Sequence, residues 1–254
     1  MFKLNTLLLA SAMLGSVTAN ATIVEFQTSH GSFQVNLYDQ STPKTVENFL
    51  QYVNNERYSD TVIHRVIPEF VVQGGGFTYE GKVPLDAIET YNAVKNEPKW
   101  SNVKGTIAMA KVAYKPDSAT SQWFINLEDN SSNLDVENGG YTVFGQVIGD
   151  GMEVLEAIAQ IPRCGNVPLV NFTDEQCKDT ETDPGAANFV TLNAITVLDD
   201  DPNSAVGLTQ KANTLIDQVT DKPSTDQDSG SSGGSMFAGL FLLAAALGFR
   251  RRVK

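Results

Sequence analysis

Apolar and polar residues alternate along much of the chain with the period of strands. Over VEFQTSHGSFQVNLY, residues 24–38, Val24 and Phe26 alternate with polar neighbours, SHGS supplies a turn, and Phe33, Val35 and Leu37 resume the alternation. That pattern predicts a hairpin. His30 falls in its turn, is expected to face solvent, and is given no role. The period becomes helical in STPKTVENFLQYVNN, residues 41–55. There Ser41 or Thr42 can cap, Pro43 sits in the first turn, and Val46, Phe49, Leu50 and Val53 share a face. Further strands are predicted at TVIHRVI, FVVQGG, GTIAMA, QWFINL, YTVFGQVI and FVTLNAITVL. A second helix is predicted at GMEVLEAIAQI, entered after Gly149 and Asp150 and ended by Pro162. Many strands, two good helices, no internal repeat and no regular βαβ alternation predict a mainly β fold, a closed antiparallel barrel.

The two ends follow a different pattern. Lys3, then LLLASAMLGSV, then Ala19-Asn20-Ala21 have the order of an export signal, basic start, short apolar core and small-residue cleavage site. Residues 1–21 are therefore expected to be a signal peptide, with the working domain at 22–198. From Asp199 the composition turns acidic and polar: Asp199 to Asp228 hold seven Asp against two Lys. Residues 199–235 are expected to be a solvated linker, with a short helix over AVGLTQKANTLIDQV as one option. MFAGLFLLAAALGF then runs fourteen residues without a charge and ends in RRRVK. That is short of the roughly 20 residues a spanning helix needs. The Gly-Gly-Ser at 233–235, together with the apolar run and terminal arginines over 236–254, resembles the GlyGly-CTERM sorting tails of some Gram-negative bacteria. The resemblance implies a sorting protease as a partner and export to the cell surface. A permanent tail anchor with its basic end in the cytoplasm is the alternative. Either way the domain is expected outside the cytoplasm, in the periplasm or at the surface of a Gram-negative bacterium.

Export changes what the cysteines mean. In an oxidising compartment Cys164 and Cys177 are expected to pair, a short loop closure worth roughly 3 kcal/mol in the chain-entropy model. Their spacing is not C-x-x-C, so no redox catalysis is expected. A formal charge of −12 argues against nucleic acid and anionic membrane surfaces as partners. Two dispersed histidines and two cysteines form no zinc-site pattern, and no P-loop or dinucleotide fingerprint occurs. No metal and no cofactor are expected.

One stretch resists a purely structural explanation. IHRVIPEFVVQGGG, residues 63–76, has the branched apolar residues of a buried strand, yet it carries a permanent cation. On a regular strand Ile63, Arg65 and Ile67 share one face, and Val62, His64 and Val66 the other. Arg65 is then either a snorkelling or salt-bridged residue at a sheet edge, or a cation held over an apolar groove.

HRVIPEFVVQGGGF, followed by GTIAMAKVAYKPDSATSQWFINLEDN, NLD and YTVFGQVIGDGMEVLEAI, resembles the cyclophilins, with the periplasmic bacterial branch the nearest in pattern. The resemblance runs over about residues 22–198. It implies an eight-stranded antiparallel β-barrel capped by two α-helices, and peptidyl-prolyl cis-trans isomerase activity during the folding of exported proteins. The partners it implies are proline-containing peptides and unfolded or folding exported proteins, with the chain a monomer. Arg65 matches the catalytic arginine, and Gln73 the glutamine that holds the substrate backbone. Phe70, Val71, Phe124 and Leu134 match the walls of the proline pocket, with Val71 replacing a commoner methionine. His64 matches a histidine beside the arginine, and Ala110, Lys111 and Gln122 line the groove for residues flanking proline. Lys111 replaces a frequent asparagine, a change expected to matter little because that contact is made by backbone. Asn133 stands where a cyclosporin-binding tryptophan occurs in animal members, so only weak sensitivity to that drug is expected. Tyr141 stands where a histidine is frequent at the pocket rim. A proline-peptide docking module and a general holdase chaperone are the competing readings.

Overall fold

The computed structural model describes residues 22–199 and 208–220. The segment at 1–21, the tail at 236–254 and most of 199–235 lie outside the described residues. Among the described residues no helix is long and apolar enough to cross a membrane.

The predicted hairpin is β1 (Ile23–Thr28) and β2 (Gly31–Leu37), with the exposed His30 in the turn between them. Helix α1 (Pro43–Asn54) follows, then β3 (Thr61–Val62), β4 (Arg65–Ile67), β5 (Val71–Gly74), β6 (Phe77–Thr78) and β7 (Asp86–Ala87). After a long loop come β8 (Thr106–Met109), β9 (Trp123–Asn126), the short α2 (Ser131–Leu134), β10 (Val143–Ile148) and α3 (Gly151–Ala159). The chain continues with β11 (Arg163–Cys164), β12 (Val167–Pro168), α4 (Asp174–Lys178), β13 (Thr191–Asp199) and, further on, α5 (Leu215–Thr220).

The main sheet runs β4-β5-β9-β8-β10-β2-β1-β13-β3, with β6 and β7 added beyond β3. Its pairings are antiparallel. The two ends of that order, β4 and β3, are halves of one chain segment. Val62 and Arg65 are three residues apart, a reach of about 10 Å at most. The sheet therefore curls until it meets itself, and eight segments form the expected barrel. Closure corrects one prediction. TVIHRVI is not a regular strand but breaks at Ile63 and His64, where its partner changes from β13 to β5. Ile63 leaves the face of Arg65 and joins the main core, fully buried with Val66 and Val72.

Cross-strand register then sorts the side chains into rows. Val66, Val72, Ile125 and Ile107 are successive partners across β4, β5, β9 and β8, and all four are buried in the barrel core. The next row is Arg65, Gln73, Phe124, Ala108 and Val143, reaching β10. Because strand side chains alternate, this row lies on the outer face.

Helix α1 sends Val46, Phe49, Tyr52 and Val53 into the core, where the Phe49 ring lies 5.1 Å from that of Phe144. Leu50 is only partly buried. Thr42 occupies the N-cap position without a side-chain cap; its hydroxyl donates to the Tyr38 carbonyl instead. The carboxylate of Glu97 accepts from the Thr45 amide at 3.0 Å and supplies the missing acceptor. Helix α3 covers β2 and β10 with Leu155, Ile158 and Ala159. Cys164 and Cys177 form the expected disulfide, tying β11 to α4 over a third apolar cluster with Leu169, Phe172 and Phe189.

Part of the acidic stretch after Asp199 is not solvated linker. Residues 211–213 lie antiparallel to 99–101, and among the described residues the optional helix within 205–219 is α5, Leu215–Thr220. Leu208 and the 6 % exposed Asn213 account for this docking, since both lose water against the domain.

Candidate active site

Arg65 and Gln73 are register partners in β4 and β5. Nη1 of Arg65 donates to Oε1 of Gln73 at 2.9 Å, and Nε2 of Gln73 donates to Oε1 of Gln122 at 2.9 Å. Gln73 is buried while Arg65 and Gln122 are half-buried. The relay thus orients the guanidinium from beneath and leaves part of it open to solvent. Burial lowers the Arg65 pKa, opposed by the nearby Tyr141, but an arginine remains charged throughout the physiological range.

Beside this cation lies an apolar cluster. Val71, Phe124, Leu134 and Tyr141 are each fully buried in it, together with Ala108, Ala110 and Val143. The Phe124 and Tyr141 rings meet edge to face, 5.8 Å between centroids. Phe70, half-buried, packs against the cluster from the turn between β4 and β5. The residues matched to a proline pocket are therefore brought together, but mostly as a floor rather than as open walls. Ala110 extends the β8–β9 ladder by donating its amide to the Gln122 carbonyl at 2.9 Å.

Two of the three glycines of the sequence motif, Gly75 and Gly76, are explained by contact. Gly75 has φ +76°, and a Cβ there would lie 2.6 Å from Nε1 of Trp123. A Cβ on Gly76 would lie 2.7 Å from the Gln122 side chain. Only glycine lets the backbone pass this close, so the end of the relay lies flat against the chain.

Two matched residues are placed differently from expectation. His64 is buried behind the groove, its ring 4.8 Å from that of Phe77, with Val62 and Gln122 as polar neighbours. Burial lowers its pKa to about 4, so it is neutral near pH 7. Lys111 contributes far more than backbone. Its buried Nζ donates to the carbonyls of Asn138 at 2.8 Å and Gly140 at 2.7 Å, and lies 4.6 Å from the centre of the Tyr141 ring. Burial lowers its pKa to about 8, opposed by Asp117. An asparagine is too short to bridge that loop, so the replacement has a structural consequence. Asn133 is exposed on α2.

Sequence reading missed a buried polar network below the floor. The Asp135 carboxylate accepts from the Ser101 hydroxyl, from the Asn102 amide at 2.7 Å and from the Asn102 side chain at 3.0 Å. Asn102 also donates to the Tyr141 carbonyl at 3.1 Å, and Asn130 donates to the Phe70 carbonyl at 3.0 Å. These bonds fix the backbone of both aromatic residues. The motif NLDVENGGY has the composition of a surface turn, and no local signal separates Asp135 from an exposed acid. Among the described residues no group of three or more His, Cys, Asp or Glu gathers to hold a metal ion.

Residues 23–178 match the family described as Cyclophilin type peptidyl-prolyl cis-trans isomerase/CLD. The chain belongs to that enzyme family. It is 40 % identical over 163 residues to a peptidyl-prolyl cis-trans isomerase of Acinetobacter baylyi, covering 64 % of this chain and 85 % of that one. It is 45 % identical over 147 residues to peptidyl-prolyl cis-trans isomerase A of Dickeya dadantii, covering 56 % and 73 %. Among solved structures, a cyclophilin type peptidyl-prolyl cis-trans isomerase of Cryptosporidium parvum shares the fold. The TM-score is 0.51 at 22 % identity, over 71 % of this chain and 99 % of that one.

Proposed function

We propose that this protein accelerates rotation about X–Pro bonds in exported proteins as they fold, with Arg65 stabilising the twisted amide. Resonance sets a barrier of about 18–20 kcal/mol to that rotation. A catalyst needs neither a covalent bond nor a proton transfer, only tighter binding of the twisted state than of either planar one. On twisting, the prolyl nitrogen loses conjugation and regains a lone pair that accepts a hydrogen bond. The Arg65 guanidinium supplies the donor, and the Gln73–Gln122 relay holds it in position without reorganisation at the moment of rotation. The ring rests against half-buried Phe70 over the floor of Val71, Phe124 and Leu134, so one side of the bond stays fixed while the other turns. Ala110, Lys111 and Gln122 border the flanking peptide.

The observation that carries this reading is the Arg65–Gln73 bond at 2.9 Å on the outer-face row that continues into buried Phe124. Support for the exported setting comes from the signal-like first 21 residues and from the Cys164–Cys177 disulfide, which persists in oxidising compartments. The tail at 236–254 is the segment a sorting protease would act on.

The test is exchange between cis and trans forms of a short X–Pro peptide, followed with and without the protein. Unaided exchange takes tens to hundreds of seconds, and catalytic amounts of protein are expected to shorten it greatly. A folded protein that binds the peptide without accelerating exchange overturns the reading in favour of a docking module.

A further inference from the structure

The stretch after the barrel returns to the domain directly beside the site. Leu208 packs with Phe70 and Trp100 on the cluster that holds Val71, Phe124, Leu134 and Tyr141. The Ser101 amide donates to the Lys211 carbonyl at 2.8 Å, the Asn213 amide donates to the Lys99 carbonyl at 2.9 Å, and Ala212 bridges Trp100. Nζ of Lys211 lies 3.3 Å from the Asp129 carboxylate.

Asn213 is the most informative residue here, because both ends of its buried amide are used. Oδ1 accepts from the amides of Leu215 and Ile216 at 3.1 Å each, which starts α5. Nδ2 donates to the Asp135 carbonyl at 2.8 Å. Capping a helix requires only the oxygen; the donation from nitrogen joins this segment to another loop. Asp135 follows Leu134, and the Leu134 carbonyl accepts from the Tyr141 amide at 2.8 Å. One hydrogen bond therefore reaches the backbone that carries two members of the apolar floor. Residues 208–216 lie outside the segment 23–178 that matches the family.

We propose that residues 208–216 are a strap that positions the proline pocket, with Asn213 as its positioning residue. The strap holds the 134–141 loop from outside, and so sets how tightly substrate is bound, without touching the peptide or the rotating bond. The ligand named here rests on the isomerase reading; the mechanical link does not.

The test uses the full chain carrying Asn213→Asp, Asn213→Ala or Leu208→Ala. Two readouts are KM and kcat for an X–Pro peptide, and amide exchange at Leu134, Asp135 and Tyr141. Asn213→Asp keeps an acceptor for α5 and removes the donor to Asp135. Both Asn213 variants are expected to raise KM about fivefold, the usual effect of one lost buried hydrogen bond, with kcat little changed. Tyr141 exchange is expected to quicken by a similar factor, and Leu208→Ala to act in the same direction. If the wild type is active and Asn213→Asp leaves both KM and exchange unchanged, the strap is overturned while the isomerase reading stands. A fall in kcat at constant KM also overturns it, since that indicates only a loss of folded protein. If the wild type has no activity, the isomerase reading fails, and exchange at Tyr141 decides the strap. Unchanged protection in all three variants then rejects it.

Discussion

The Arg65 guanidinium and the Gln73 side-chain amide face one another as a register pair of β4 and β5, Nη1 to Oε1 at 2.9 Å. Because Gln73 is itself held by Gln122, the direction of the positive charge is set by the sheet rather than by the flexible arginine stem. Gln73→Leu keeps the volume and removes the acceptor. It is expected to lower kcat/KM about tenfold or more, with little change in thermal stability. Peptide kinetics alongside a melting curve check this. A large drop in melting temperature with normal kinetics of the folded fraction would assign Gln73 to structure instead.

His64 makes stability depend on acid. Burial holds its folded pKa at about 4, below the ordinary 6.5. As pH falls through 6.5 the unfolded chain takes up a proton at this position that the folded chain refuses until about 4. Acidification across that window therefore favours unfolding, by up to roughly 3 kcal/mol, and above 6.5 the effect vanishes. Denaturant titrations of wild type and His64→Gln between pH 4 and 7 are expected to show a shallower pH slope in the variant. Parallel slopes would mean that other groups dominate.

The disulfide supports the strand that carries Arg65. The Val66 amide donates at 2.7 Å to the carbonyl of Asn166, which lies in the turn between β11 and β12, two residues after Cys164. Replacing both cysteines with serine is expected to cost about 3 kcal/mol of unfolding free energy, measured by chemical denaturation. Backbone exchange at Val66 is expected to rise as well. A stability loss that leaves Val66 as protected as before would separate the staple from the active strand.

How much of this was legible in sequence depended on how local each signal is. The hairpin, the two helices and most strands were readable because alternation and helical period are properties of a few neighbouring residues. The same alternation misplaced Ile63, because it assumed one unbroken strand. Barrel closure requires a single segment to pair with both β13 and β5, and that long-range demand breaks the period at Ile63 and His64. The matched site residues do gather, yet local sequence does not distinguish Lys111 from an asparagine, because its acceptors, Asn138 and Gly140, lie 27 and 29 residues away. Asn213 was hidden in an acidic stretch whose composition describes a linker. Its burial depends on an Asp135 carbonyl 78 residues earlier.

The central claim is that Arg65 acts on the twisted bond rather than on the resting peptide. The most direct measurement compares, for wild type and Arg65→Ala, the isomerisation rate at saturating X–Pro peptide with the dissociation constant of the same peptide. Loss of a donor aimed at the transition state is expected to lower the rate about 10²–10³-fold, from roughly 3–4 kcal/mol of stabilisation, while peptide affinity changes only a fewfold. A rate preserved in Arg65→Ala, or lost only in step with affinity, would contradict that claim and make Arg65 a binding residue.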